Sequence, residues 1–556
     1  MIVRQTAPFE PLLDMEDIQG IAVPGFLKPY HTLLGVHVAA DDDAAAFAFR
    51  DLLRRLADDI ATGLHTFRDR EAFRRARLEH NTRYPRSSRA LTKGDEGAVL
   101  IGLGLSYQGL LRLTPGAAAM TSEAFRAGLA ARSAALGDPV GRHDEGRADN
   151  WVVGAPGKEL DALIVVAGDH REPVTRRADV LAARIEGAGL KLAYREDGNV
   201  RQDPPEARGH EHFGFDDGVS QPAIRGRVRI DGGEKFISKR NVDQRVQPET
   251  WLYGRPGQTL VWPGEFVLGE PATSPDPVRP GPPSDTTPPW TRNGSFLVFR
   301  RLRQDVGLFW RTMRDTAAQL SKAGWKIGDA ELAARLVGRW PSGAPVNRVP
   351  KGDDPALGTN SYANNYFKFD SDTVKLEVVM ENGEPFDDPY PQAKADPVGL
   401  TCPWGAHIRK VNVRDSGSDM GGGDATYNRR LLRIGIPFGT FLTEKQKYQD
   451  RHQGDGDRGL LFLSIQASIE DQFEFLQTSW MNDDSRPKMP GGNDMIVGQN
   501  AAAVEGRRRC TLIDPKLNVH EISTPDQWVI PTGGGYFFVP SLSALRDVLT
   551  ATGDAR

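Results

Sequence analysis

The chain has 556 residues, 39% hydrophobic and 26% charged, a globular balance with room for two or three domains. Its formal net charge of −4 excludes a general electrostatic affinity for nucleic acid or for an anionic membrane. With only Cys402 and Cys510, it can build neither a disulfide scaffold nor a four-thiolate zinc site.

The opening Met-Ile-Val-Arg-Gln-Thr-Ala-Pro has no apolar core of signal-peptide length and no twin-arginine pair. No stretch approaches the roughly 18 apolar residues of a membrane span, so the chain reads as soluble and cytoplasmic. Leu33–Val38 is a largely β-branched and apolar run, broken by His37, that predicts a strand. Asp41, Asp42 and Asp43 then cap a segment with Ala46, Phe49, Leu52, Leu53, Leu56 and Ile60 at spacings of three and four. That pattern places one apolar face on a helix whose acidic start suits the helix dipole. Ala162–Ala167 predicts a second strand, followed by a helix over about 175–188.

Residues 254–291 are rich in Pro and Gly and predict a connection rather than long helices or central strands. Trp251, Trp262 and Phe266 at its start suggest that it lies packed over the core. Beyond it the order recurs. Ser295–Arg300 predicts a strand, followed by a helix through Val306, Phe309, Trp310 and Met313. Gly459–Ile465 predicts another, followed by a helix through Ile469, Phe473, Leu476 and Gln477. Gly533–Val539 predicts a last strand with a helix over 542–549. Two stretches of similar order imply a pseudo-duplicated α+β fold with helices on one side of each sheet. The glycine-rich run 416–424 reads as an exposed loop, and Arg507-Arg508-Arg509 as a surface basic patch.

Two distant segments carry the chemistry. Gly214-Phe-Asp-Asp217-Gly218 sets a carboxylate between glycines, where backbone can approach a flat ligand. Gly405-Ala-His407-Ile-Arg409-Lys410 offers an imidazole followed by cations, Arg414 among them, that could hold two carboxylates of a ligand. Together they suit the two faces of a haem, with an acid/base on one side and a ligand on the other. The bland alternatives are a surface basic segment for the second and a turn aspartate for the first. Asp216 and Asp217 are neighbours, so an extended strand would send only one of them into a pocket. His210 and His212 make a rival metal pair, but with no third ligand nearby they read as a polar strand end. Dinucleotide, phosphate-loop and serine-elbow motifs are all missing.

The chain resembles the dye-decolorising peroxidase family. Gly214-Phe-Asp-Asp-Gly218-Val-Ser-Gln-Pro222 is similar to its GxxDG motif, and Cys402 to Arg414 to its proximal-histidine segment. Arg433, in Leu-Leu-Arg-Ile-Gly-Ile-Pro-Phe-Gly439, sits where the family has a distal arginine; Asp17–Gly20 and Gly459–Leu463 match further. Val413 departs from the family's frequent proline, and the 416–424 loop is enlarged.

The resemblance implies two ferredoxin-like α+β halves, antiparallel sheets with packed helices, with the haem in the C-terminal half. Residues 1–228 would form the first half and carry GxxDG, 229–293 the connection, and 294–556 the second half. It further implies one haem b per chain, His407 as iron ligand, Asp217 as distal acid/base and Arg433 as distal cation. Arg414 and Arg409 would hold the propionates, with Gly218 against the cofactor. The partner of the His407 ring is left among Glu470, Glu474 and Asp483. Hydrogen peroxide and an aromatic or dye-like reductant are the implied substrates. An aspartate base stays ionised in mildly acidic solution where a histidine would be protonated, since free Asp titrates near ~3.9 and His near ~6.5. Activity is therefore expected to favour acidic pH. Trp310, Trp340, Tyr427, Trp480 and Tyr536 could pass electrons to a bulky reductant, although each also reads as a core residue. A haem-handling protein without turnover and a non-enzymatic ferredoxin-like binding module are the alternatives.

Overall fold

The structure, a computed structural model, describes residues 10–39, 42–83, 98–242, 251–449, 456–489 and 491–551. The opening residues 1–9 and Asp41 lie outside them.

Four strands come from the first part of the chain: β1 (Tyr30–His37), β2 (Val99–Leu105), β3 (Ala162–Gly168) and β4 (Lys191–Asn199). They pair antiparallel in the order β2-β3-β1-β4. The second part supplies β5 (Ser295–Gln304), β6 (Leu432–Arg433), β7 (Ile436–Phe438), β8 (Gly459–Gln466) and β9 (Val529–Val539). Their order is β9-β5-β8-β7, with β6 also on β8. Each set therefore runs fourth, first, third, second, the antiparallel ferredoxin-like arrangement, so the duplication lies in topology even where residues do not repeat. The sheets also meet at both edges, Leu105 of β2 against Phe538 of β9 and Gly198 of β4 against Phe438 of β7. Closure removes the exposed edges that two separate four-stranded sheets would present.

Strand alternation divides the core. Leu33, Val165, Leu297, Phe299, Leu463 and Phe537 point inward and pack with the N-terminal residues Ile18, Ile21 and Phe26. On the outer face of the first sheet, Leu34, Val36, Leu103 and Val166 meet the helices Asp43–Leu56 and Arg171–Gly187. Asp42 caps the first of these by accepting from the Ala45 amide, and Phe49, Leu52, Leu53 and Leu56 form its buried face. The outer face of the second sheet is different: Leu302, Leu460 and Phe462 look into a cavity.

The segment after β8 follows the expected apolar spacing but winds as a π-helix, over Ile469–Glu474 and Leu476–Met481. π-Turns occur often at functional sites, and here they turn Phe473, Leu476 and Met481 to the same cavity. The Pro/Gly-rich connection is packed as expected, with Trp262 and Phe266 fully buried. Residues 417–422 of the glycine-rich loop are exposed or half-buried, while Ser416 is buried and donates to Asp370. The Arg507–Arg509 expectation fails in part: Arg508 is fully buried and donates to the Gly498 and Asp526 carbonyls, because alternate residues of strand Arg508–Ile513 face the interior.

His31 on β1 is buried inside the barrel, and burial pushes its pKa from 6.5 down to about 4, outweighing the opposing pull of the nearby Lys28 and Phe26 backbone. Between those values the unfolded chain binds a proton that the folded chain refuses. Stability from this site is therefore full above pH 6.5 and lost as pH falls towards 4, by roughly 3 kcal/mol. A His31→Leu variant should show a flatter loss of urea midpoint between pH 6.5 and 4 than the parent. Parallel curves would contradict this.

Candidate active site

The cavity, about 300 Å³, lies between the outer face of β5 and β8, the π-helical segment, the short helix His407–Val411 and the loop 211–222. Its walls beside the sheet are apolar, from Leu302, Leu460, Phe462, Phe473 and Leu476. Asp217, Gly218, His407, Arg414 and Arg433 all line it, although they come from both parts of the chain.

His407 opens its helix, and its Nδ1 lies 2.7 Å from Asp494 Oδ2. Asp494 is fully buried, and its other oxygen accepts from the Ile496 and Val497 amides. Burial alone would raise the Asp494 pKa, but the His407 ring, its hydrogen bond and those amides outweigh burial and hold the carboxyl below its usual value. An ionised Asp494 requires the proton on Nδ1, which leaves the Nε2 lone pair for the cavity.

None of the three expected carboxylate partners is used. Glu470 accepts from Ser122 and the Ala124 amide, Glu474 pairs with Arg132 and takes the Tyr536 hydroxyl, and Asp483 accepts from the Ser485 and Arg486 amides. Asp494 is 87 positions from His407 and sits in a Gly-Gly-Asn-Asp run that has no periodic or motif signal.

On the opposite wall Arg433 Nη1 lies 3.3 Å from Asp217 Oδ1, while Nη2 donates to the Ser220 carbonyl at 2.9 Å. The Gln221 side chain bonds both backbone groups of Arg433, tying β6 to the Asp217 loop. Gly218 adopts φ +81°, a conformation that favours glycine, and its amide donates to Asp217 Oδ1 at 2.7 Å. Asp216 and Asp217 both line the cavity, contrary to the expectation for an extended strand, because Gly214 at φ +104° and Gly218 curl the chain between them. Burial, then the neighbouring Asp217, pushes the Asp216 carboxyl up to about 7, against the pull of Arg339.

One end of the cavity is cationic. Arg339, Arg414 and Arg430 are held by burial at about 9, about 10 and about 10, below the usual guanidinium value. Among the described residues none of the three has a carboxylate within 4.0 Å. Arg339 and Arg414 instead share Asn365 Oδ1, and the Arg414 guanidinium lies 3.7 Å over Phe367. The Nε of Arg430 is buried without a partner. Buried cations without counter-ions call for anionic groups on a ligand. Arg339 and Arg430 escaped the sequence pattern because they come from separate segments.

Arg409 is not part of this end. It is fully buried, donates to the Asp396 and Cys402 carbonyls and stacks 3.8 Å over Trp404. Two residues along a helix turn a side chain by about 200°, so it faces away from His407. Lys410 likewise donates to the Asp483 and Arg486 carbonyls. His212 bonds the Phe438 carbonyl and stacks on Phe441, and no cluster of three or more His, Cys, Asp or Glu suits a metal among the described residues. Trp310, Trp340, Tyr427, Trp480 and Tyr536 are all buried. No helix among the described residues is long and apolar enough to cross a membrane.

No family model matches the chain. It is 31% identical over 412 residues to dye-decolorizing peroxidase msp1 of Mycetinis scorodonius, covering 72% of this chain and 68% of that one. It is 30% identical over 474 residues to the multifunctional dye peroxidase DyP2 of an Amycolatopsis species, covering 81% and 82%. Among solved structures, an ancestral D-type dye-decolorizing peroxidase matches with a TM-score of 0.70 at 30% identity, covering 97% of this chain and all of that one. A fungal DyP-type peroxidase from Auricularia auricula-judae matches with a TM-score of 0.67 at 26% identity, covering 97% and 99%. Fold and relatives together define a haem peroxidase. The chain belongs to the dye-decolorising peroxidase family.

The residues present fit haem. The cavity offers an imidazole nitrogen with its tautomer set, apolar walls beside the sheet, and three buried arginines that lack carboxylate partners.

Proposed function

We propose that this protein binds one haem b per chain and uses hydrogen peroxide to oxidise dyes and phenolic or other aromatic reductants. The observation that carries this is the placement of two pairs, His407–Asp494 and Asp217–Arg433, on the walls of one cavity. Haem, when bound, supplies the redox-active iron at which peroxide is reduced. His407 would ligate the iron through Nε2, kept basic because Asp494 takes the Nδ1 proton. Asp217 would take a proton from peroxide and return it to the departing oxygen, acting as base and then acid. Arg433, already oriented by the Ser220 carbonyl, would stabilise the negative charge that develops between those events. Arg414, with Arg339 and Arg430, would hold the propionates, and Gly218 would let the backbone lie against the ring. Residues 1–228 thus supply the acid/base, 229–293 the connection and 294–556 the haem ligand.

A phenolic reductant draws support from a solved dye-decolorizing peroxidase in complex with 2,6-dimethoxyphenol. The test is the visible spectrum of haem-loaded protein. The wild type should show a ferric Soret band that His407→Ala loses or shifts, while far-ultraviolet circular dichroism stays unchanged. An identical Soret band in His407→Ala would remove the ligand assignment.

A further inference from the structure

Asp217 is more than a third exposed, and among the described residues its side chain makes two hydrogen bonds, with the Gly218 amide and Arg433. Its position is therefore inherited from the backbone before it. That backbone closes around one half-buried side chain at the cavity wall, Glu211. Glu211 Oε2 accepts from the Phe213 amide at 2.8 Å and Oε1 from the Phe215 amide at 2.9 Å. The Glu211 amide in turn donates to the Phe215 carbonyl at 2.9 Å, and the Gly214 amide to the Glu211 carbonyl at 3.0 Å. Outside the loop, Gln304 Nε2 donates to Glu211 Oε2 and fixes this knot to β5, on the strand face that walls the cavity. Trp310 Nε1 donates to the Phe213 carbonyl at 3.1 Å, and Phe213 stacks on Phe309 at 4.4 Å.

Among the described residues no cation lies within 4.0 Å of the Glu211 carboxylate. Burial pushes its pKa up, opposed by the Phe215 and Phe213 amides and Gln304, with Asp217 adding to the rise. A half-buried carboxylate without a counter-ion is costly, and the five residues 211–215 can be closed by backbone bonds alone. What the carboxylate adds is a fixed separation of two amides one turn before Asp217, together with a tether to the opposite half of the molecule.

We propose that Glu211 is the positioning residue for the distal acid/base: with Gln304 it sets the turn that brings Asp217 to Arg433 in the cavity. This rests on the reading of Asp217 as acid/base. Glutamine in its place is isosteric but presents an NH₂ to one of the two amides, which opens the knot. A displacement of about 1 Å at a reacting group can cost about 10²-fold in rate.

The test compares haem-loaded Glu211→Gln, Asp217→Ala and the double variant in stopped-flow reaction with hydrogen peroxide, with steady-state KM for a phenolic reductant. Glu211→Gln should keep the wild-type Soret band and reductant KM and lose about 10- to 100-fold in the peroxide rate constant. The double variant should be no slower than Asp217→Ala alone, because both changes disable one device. A Glu211→Gln rate equal to wild type, or a double variant slowed by the product of the single effects, would overturn the proposal. Gln304→Leu cuts only the tether and should lose about tenfold. If Glu211→Gln fails to take up haem, this variant decides, and an unimpaired Gln304→Leu overturns the proposal. An Asp217→Ala as fast as wild type would defeat the acid/base reading and this inference together; a slow Asp217→Ala beside a fast Glu211→Gln defeats this inference alone.

Discussion

Asp217→Ala is expected to slow the reaction of the haem-loaded protein with hydrogen peroxide by about 10²- to 10⁴-fold, the usual contribution of a positioned general acid/base. Arg433 keeps its bond to the Ser220 carbonyl in this variant, and Gln221 still holds the Arg433 backbone, so the wall itself survives. The Soret band should therefore keep its position while the rate collapses. A loss below about threefold would mean that Arg433 or solvent moves the proton instead.

The pH profile carries a second signature of the same site. Asp216, held by burial and by Asp217 at about 7, is neutral in acidic solution and ionises as pH rises past that value. Ionisation puts a second negative charge beside Asp217, where negative charge develops during the reaction. Other charged groups facing it are Asp217 itself and Arg339. The peroxide rate should hold through mildly acidic solution and fall above about pH 7, and Asp216→Asn should remove that fall. A wild-type rate that rises through neutrality would contradict both this and the acid preference expected of an aspartate base.

Asp494→Ala is expected to weaken haem retention by about 10- to 100-fold, the cost usually found when the outer partner of a ligating histidine is removed. The variant leaves the His407 Nδ1 proton unpaired, so ring orientation and tautomer are no longer fixed. It also removes a buried carboxylate whose charge acts on Lys410 and Arg508, both pushed down by burial. Haem transfer to an excess of an acceptor apoprotein, followed at the Soret band, measures the effect. Asp494→Asn, which retains an oxygen to accept from Nδ1 but no charge, should fall between the parent and alanine. Equal transfer rates for parent and Asp494→Ala would show that the carboxylate does not support the ligand.

Much of the secondary structure was legible because its signals are local. A largely apolar run such as Leu33–Val38 or Gly459–Ile465, broken only by His37 or Ser464, encodes a strand buried on both faces wherever it pairs. The spacing of Phe49, Leu52, Leu53 and Leu56 likewise encodes one helical face whatever it packs on. The two motif segments were legible too, since glycine beside Asp217 and cations beside His407 are neighbours in sequence.

The closing of two sheets into one barrel was not legible, because it rests on contacts of Leu105 with Phe538 and of Gly198 with Phe438, hundreds of positions apart. Sequence proximity also misled. Arg409 looked like a propionate partner from its distance in residues to His407, but helical geometry turned it to the opposite side. Asp216 looked excluded by strand alternation, but glycine at left-handed φ curled the chain and brought both carboxylates to the cavity. The sequence by itself determined five of the nine barrel strands, the family resemblance, and the His407 imidazole and Asp217 carboxylate that line the cavity. Only the tertiary structure decided that Asp494 bonds His407 Nδ1, that Arg339 and Arg430 join Arg414 at the cavity, and that Glu211 bonds the backbone of Phe213 and Phe215. Hydrogen bonds and buried charges are satisfied by whatever the fold brings within about 3 Å, and chain separation places no limit on that.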